Sequence, residues 1–232
     1  DIAIMPIVYP VTHSKSEVSY IVNNQPNNGV RIHSIGAVSK DAKGEDLTEM
    51  IDMSRAGAIA FGDGLKSIKD SGMMMRALQY AKAVNKPIIN YSIDKSLVHY
   101  GQMHEGDVSV SLGMQGIPSL AEHVAIQRDI SLAEYTESEL VLHCVSTEEG
   151  CDLIKKAIKD DINISATVSY VNLIHIDQDL RSFNSNLKVK PPIRSKSDRK
   201  ALINSVKKGS IQTIVSNHVP LEEEQKKLEF SY

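Results

Sequence analysis

What constrains this chain most is a regular alternation. Short β-branched or aliphatic runs are separated by longer stretches that carry apolar residues at helical spacing. "DIAIMP" is followed by "SKSEVSYIVNN", "GVRIHSIGAV" by "DLTEMIDMSRAG", "AIAF" by "SGMMMRALQYAKAV", and "KPIINYS" by "PSLAEHVAIQRDISLAEY". Next, "ELVLHCVS" precedes "EGCDLIKKAIKDD". "NISATVSY" is followed, after a longer connection, by "SDRKALINSVKKG", and "IQTIVSN" comes last. Leu153, Ile154, Ala157 and Ile158 form one helical stripe, and Ala201, Leu202, Ser205 and Val206 another. Strands separated by helices call for parallel pairing through right-handed crossovers.

The pattern predicts seven strands and six intervening helices. A doubly wound nucleotide-binding sheet would carry a G-x-G-x-x-G turn, and none follows any of these strands. The predicted fold class is therefore α/β, a TIM-type (β/α)₈ barrel lacking one strand of eight. Residues 1–232 are read as a single, incomplete barrel domain. An open barrel would leave the edges of "DIAIMP" and "IQTIVSN" unpaired, so the sequence is expected to be part of a longer chain.

Composition removes several functional classes. A formal charge of −3, without a basic stripe, gives no electrostatic reason to bind nucleic acid. No apolar run reaches the roughly 20 residues that span a bilayer. "DIAIMPIVYP" lacks the basic region of a signal peptide. Cys144 and Cys151 have neither a disulfide-framework nor a zinc-knuckle spacing, and read as reduced thiols of a cytoplasmic protein.

In a barrel, chemistry collects at the C-terminal ends of the strands. Here those ends bring Ile7, Ser39, Asp63, Tyr91, His143, Cys144, Tyr170, Asn217 and His218. Zinc hydrolysis needs converging imidazoles and carboxylates that lower the pKa of a bound water. Asp63, His143 or Cys144, and His218 could form a mononuclear site, although lone histidines at strand ends are more simply hydrogen-bonding residues. The other six histidines form no H-x-H or H-x-x-x-H pair and read as structural or surface residues. Met73, Met74 and Met75 read as helix packing. "LEEEQKK" reads as a solvated helix start, acidic first as the helix dipole prefers. No G-x-S-x-G elbow surrounds Ser146 or Ser216. Gly113, Gly116 and Pro118 precede a helix and could offer backbone N–H groups to an anion, but a structural turn is the simpler assignment.

In combination the motifs resemble the dihydroorotases of the amidohydrolase superfamily, of the multifunctional or transcarbamoylase-associated type. "IAIMPIVYPVTHSKSEVSYI" looks like the family's M-P-N-T-x-P strand and helix, and "GAIAFGDG" like its G-A-x-A-F-S-D-D-G. "HYGQMHEGDVSVSLGMQGIPSLAEHVAIQRD" is similar to G-x-M-x-E-G … L-G-x-x-G-x-P-x-x-A-E … R-D. "HCVST", "KPPIRSKSDRKAL" and "SNHVP" resemble H-V-S-T, N-P-P-L-R-x-x-x-D-R-x-A-L and D-H-A-P-H. The resemblance covers nearly the whole chain. It implies a zinc-dependent cyclic amidase of pyrimidine biosynthesis, with strands two to eight of its barrel represented. The family's first strand and small β domain are not among these residues.

The departures fall on the residues that the resemblance makes functional. The family's metal histidine in V-H-A-E-D falls on Tyr91, and that of H-V-S-T on Cys144, with His143 expected on the opposite face of the strand. The catalytic Asp of D-H-A-P-H falls on Asn217, and its last His on Leu221. Substrate positions fall on Ile7 and Lys190, and a histidine pair on Val171 and Asn172. Asp63 either retains or has lost the metal-facing acid, depending on register with Gly64. Scaffold residues such as Pro6, Gly116, Arg128, Asp129, Arg194 and Asp198 match the family pattern.

The expectation is a silent barrel, most simply without a cofactor. It would act as a structural or regulatory subunit, in a homo-oligomer or with an aspartate transcarbamoylase-like subunit. The alternative is an active dihydroorotase with a rearranged zinc ligand set. A third possibility is a sensor in which Lys190 and Arg194 hold an anion; both are otherwise read as solvent-exposed charges.

Overall fold

The structure, a computed structural model, describes residues 1–6, 10–26, 29–226 and 230. In chain order the first elements are β1 (Ile2–Ile4), α1 (Lys15–Asn23), β2 (Ile32–Gly36), α2 (Met50–Arg55), β3 (Ala60–Phe61), α3 (Ser71–Ala83) and β4 (Ile88–Asn90). An excursion follows: α4 (Lys95–Val98), β5 (Met103–His104), α5 (Asp107–Ser111) and β6 (Gly116–Ile117). The chain then runs through α6 (Ser119–Thr136), β7 (Leu140–Leu142), α7 (Glu148–Lys159), β8 (Ile164–Ser169) and α8 (Tyr170–Ile174). It continues through α9 (Lys196–Lys207), β9 (Thr213–Val215) and α10 (Glu223–Lys226). All seven strands and six helices expected from the alternation are present, and "LEEEQKK" does begin a short helix.

Helix starts are set by local chemistry. Ser14 and Glu17 close a capping box on α1, Ser195 and Asp198 do the same for α9, and Thr147 and Asp70 cap α7 and α3. Each satisfies amide donors that the first helical turn leaves open.

The chain forms two compact units. The first comprises 1–92, 128–142 and 161–164. Its strands run in the order β1–β2–β3–β4–β7, each neighbouring pair parallel. Phe61, Ile88, Leu140 and Leu142 are buried from the strands, and Met50, Met53, Met74 and Leu78 from the helices. Met73 and Met74 are thus core residues, as the packing reading expected. Strands β3 and β4 approach so closely that a Cβ on Gly62 would lie 2.2 Å from the Ile89 carbonyl oxygen, so no larger residue fits there.

The second unit comprises 93–127, 143–160 and 165–232. Strands β8 and β9 pair in parallel, and so do β5 and β6. The α7 stripe buries Ile154 and Ala157, with Leu153 and Ile158 half-buried, and α7 packs on α9. A further apolar cluster joins Met103, Val108, Leu180, Ile193 and Phe230. Phe183 meets the Phe230 ring edge-on, with centroids 6.5 Å apart.

Candidate functional site

In the first unit, the tip of β3 presents Asp63 and the tip of β4 presents Tyr91. Asp63 is only 3% exposed and faces its own scaffold. One carboxylate oxygen accepts the backbone N–H groups of Val38 and Ser39 at 2.9 and 3.0 Å, and the other accepts the Ser39 hydroxyl. Burial pushes this carboxyl above the ordinary aspartate value, opposed by the Ser39 and Val38 donors. Both oxygens are therefore engaged in tying β3 to the turn after β2. Tyr91 is buried beside Asn90 and Ser92. Asn90 Nδ2 and the Ser92 hydroxyl both donate to Asp129 Oδ2, at 2.7 and 2.6 Å, and Arg128 holds the other oxygen of Asp129. Burial raises the Asp129 carboxyl, and Arg128 works against that rise. This buried acid, paired and fully bonded, clamps the β4 tip to α6.

β7 ends at Leu142 in the first unit and the second unit resumes at His143, so the alternation that would separate His143 from Cys144 does not extend to them. Cys144 adopts φ 56°, a left-handed turn residue. Contrary to the opposite-face expectation, its Sγ lies 3.3 Å from His143 Nε2. Thr167 Oγ1 completes the cluster, accepting the Cys144 N–H at 2.9 Å and touching His143 Nδ1 at 3.0 Å. Burial pushes the Cys144 thiol up to about 12 and the His143 imidazole down to about 4. Both groups are therefore neutral near pH 7.

Asn217, also at positive φ, donates its side-chain amide to the Lys190 carbonyl at 2.7 Å. Lys190, His218 and Leu221 are exposed, as is Ser216. Asn172 donates to the Pro192 carbonyl at 3.0 Å. Gly116 sits in β6, where a Cβ would meet Glu105 Cα at 2.5 Å, so its role is close backbone approach, consistent with the structural assignment. Ile7 lies outside the described residues.

Arg194 departs most from its sequence reading. It is 2% exposed instead of solvated. Its Nε donates to Ser146 Oγ at 3.1 Å and its Nη1 to the Ile117 carbonyl at 2.6 Å. Its Nη2 lies 4.0 Å from Glu122 Oε2. The composition around it explains the burial. Glu122, on the inner face of α6, accepts the N–H and hydroxyl of both Ser146 and Thr147. Arg194 supplies the countercharge to that acid. Sequence reasoning did not single out Glu122. The available signal was an acid flanked by Ala121, Ala125 and Ile126 on the buried face of its helix.

The profile of the Dihydro-orotase-like family matches residues 2–150. The chain belongs to that family. It is 37% identical over 231 residues to the dihydroorotase of Acetivibrio thermocellus, and 38% identical over 229 residues to that of Pelotomaculum thermopropionicum. Each alignment covers 99% of this chain and 54% of the relative, so the chain spans about half the length of the curated relatives it matches. Among solved structures, L-hydantoinase (dihydropyrimidinase) from Arthrobacter aurescens superposes with a TM-score of 0.77 at 21% identity, covering 93% of this chain and 49% of that one. D-hydantoinase from Bacillus sp. AR9 gives 0.76 at 16% identity, covering 99% and 54%. These likenesses show the fold class, α/β of the TIM-barrel kind.

For this dihydroorotase-like chain, the donor set does not fit the zinc that the family resemblance implies. Tyr91 offers a phenol where imidazole is expected. Cys144 offers a single buried thiol, with its Sγ 3.3 Å from His143 Nε2, where imidazole is expected. Both oxygens of Asp63 are occupied by protein donors. Among the described residues, no group of three or more His, Cys, Asp and Glu side chains is placed to hold a metal ion.

Proposed function

We propose that this dihydroorotase-like chain, from a cytoplasmic protein of pyrimidine biosynthesis, does not turn over cyclic amides. It serves instead as a structural or regulatory subunit, in a homo-oligomer or with an aspartate transcarbamoylase-like subunit. The observation that carries the proposal is Asn217. A hydrolytic water must give up a proton, and an amide is no usable base near neutral pH. The Asn217 amide is also already spent on the Lys190 carbonyl, a hydrogen bond of the loop framework. The saturated Asp63 supports the same reading. The subunit role draws support from α6, where Leu120 and Val124 lie one turn apart at 55% and 41% exposure. Among the described residues no helix is long and apolar enough to cross a membrane.

The competing reading, an active zinc-dependent dihydroorotase, is favoured by the names of the relatives. A turnover assay of the full-length protein separates the two. Carbamoyl-aspartate and dihydroorotate are each supplied with added zinc. The expected rate is that of buffer alone in both directions. Turnover that chelation abolishes would overturn the proposal and establish an enzyme. For the subunit role, the protein is expected to sediment as a homo-oligomer or to co-purify with an aspartate transcarbamoylase activity. A lone monomer with neither would reject that part.

A further inference from the structure

Arg194 does more than neutralise Glu122. Its Nη1 also lies 3.3 Å from His104 Nδ1, while the same nitrogen donates to the Ile117 carbonyl. His104 is in β5 and Ile117 in β6, so one guanidinium holds both strands of the small ribbon. The ribbon itself has only short pairing. Gln102 N–H donates to Gln115 O at 2.9 Å and Glu105 N–H to Ile117 O at 3.2 Å. A two-stranded ribbon of this length is not stable alone.

We propose that the His104–Arg194 contact is an acid-labile latch that fastens the β5–β6 ribbon only while the imidazole is neutral. A guanidinium has donors and no acceptor, so Nδ1 must present its lone pair and the ring proton must reside on Nε2. Protonation removes that acceptor and sets a second cation against Arg194. The groups facing His104 are Glu105 on its own strand, Arg194 before α9, Asp198 in α9, and Asp177 in the turn after α8. Burial, then Arg194, lowers the imidazole below its ordinary 6.5, and the three acids oppose this without reversing it. The sign follows. A histidine depressed in the folded state contributes stability that is present above its unfolded pKa. That stability is lost as pH falls from 6.5 through the folded value. The latch does not depend on whether the chain is catalytically silent.

The test uses the full chain. His104 is titrated through its ring proton by NMR, and amide exchange at Gln102 and Glu105 is measured near pH 7.5 and near pH 5, corrected for intrinsic rates. The expected midpoint lies below 6.5, and protection of those two amides falls severalfold at the acid point. In His104→Gln, whose amide oxygen accepts at both pH values, the acid loss of protection is expected to disappear. A wild-type midpoint at or above 6.5 would overturn the latch, and so would equal acid loss in the variant. If the variant does not fold, the wild-type titration decides alone.

Discussion

Glu122→Ala is expected to lower the stability of the chain by roughly 3–5 kcal/mol. The carboxylate accepts from both Ser146 and Thr147 and faces a guanidinium that is 2% exposed. Removing it strands two backbone N–H groups and two hydroxyls without their acceptor and leaves the buried Arg194 guanidinium without its countercharge. Glu122→Gln keeps an oxygen for part of the set but loses the charge opposite Arg194, so a smaller loss is expected. Urea unfolding with an unchanged m-value measures both. A loss for the alanine variant under about 1 kcal/mol, the range of an exposed ion pair, would refute the central place given to this acid.

Much of the fold was legible because it rests on short-range patterns. Each expected strand is an apolar run between breakers, and Ser14, Thr147 and Ser195 mark helix starts in the sequence itself. What was not legible depends on contacts between residues far apart in the chain. Glu122 reads as one more acid on a long helix until Ser146 and Thr147 are folded against it. Arg194 reads as a solvated cation until Ile117 and Glu122 surround it. The facing of His143 and Cys144 was misread because period-two alternation ends where the strand ends, and Cys144 enters a left-handed turn. Strands β5 and β6, two residues each, are too short to carry a period. The departures from the family pattern at Tyr91, Cys144 and Asn217 are read from the sequence alone. That their side chains are closed onto protein partners at Cys144 and Asn217 came only with the structure.

Asp63→Ala separates a structural acid from a metal ligand. The variant leaves the Val38 and Ser39 amides and the Ser39 hydroxyl without an acceptor in a buried site. A loss of about 3 kcal/mol is expected from these unsatisfied donors. Asp63→Asn is expected to recover little, because its NH₂ would face donors on one side. Were Asp63 instead a ligand held ready for a metal, its replacement would spare stability in the metal-free protein. Thermal unfolding of the chelated protein makes the comparison: a large drop in midpoint supports the structural role, and an unchanged midpoint contradicts it.

The proposed silent barrel carries no zinc at the positions that the family resemblance assigns to metal. Elemental analysis of the full-length protein, purified without chelator and then exhaustively dialysed, tests that claim most directly. The expected result is negligible zinc per chain, unchanged when zinc is supplied during growth. Stoichiometric zinc surviving dialysis would contradict it.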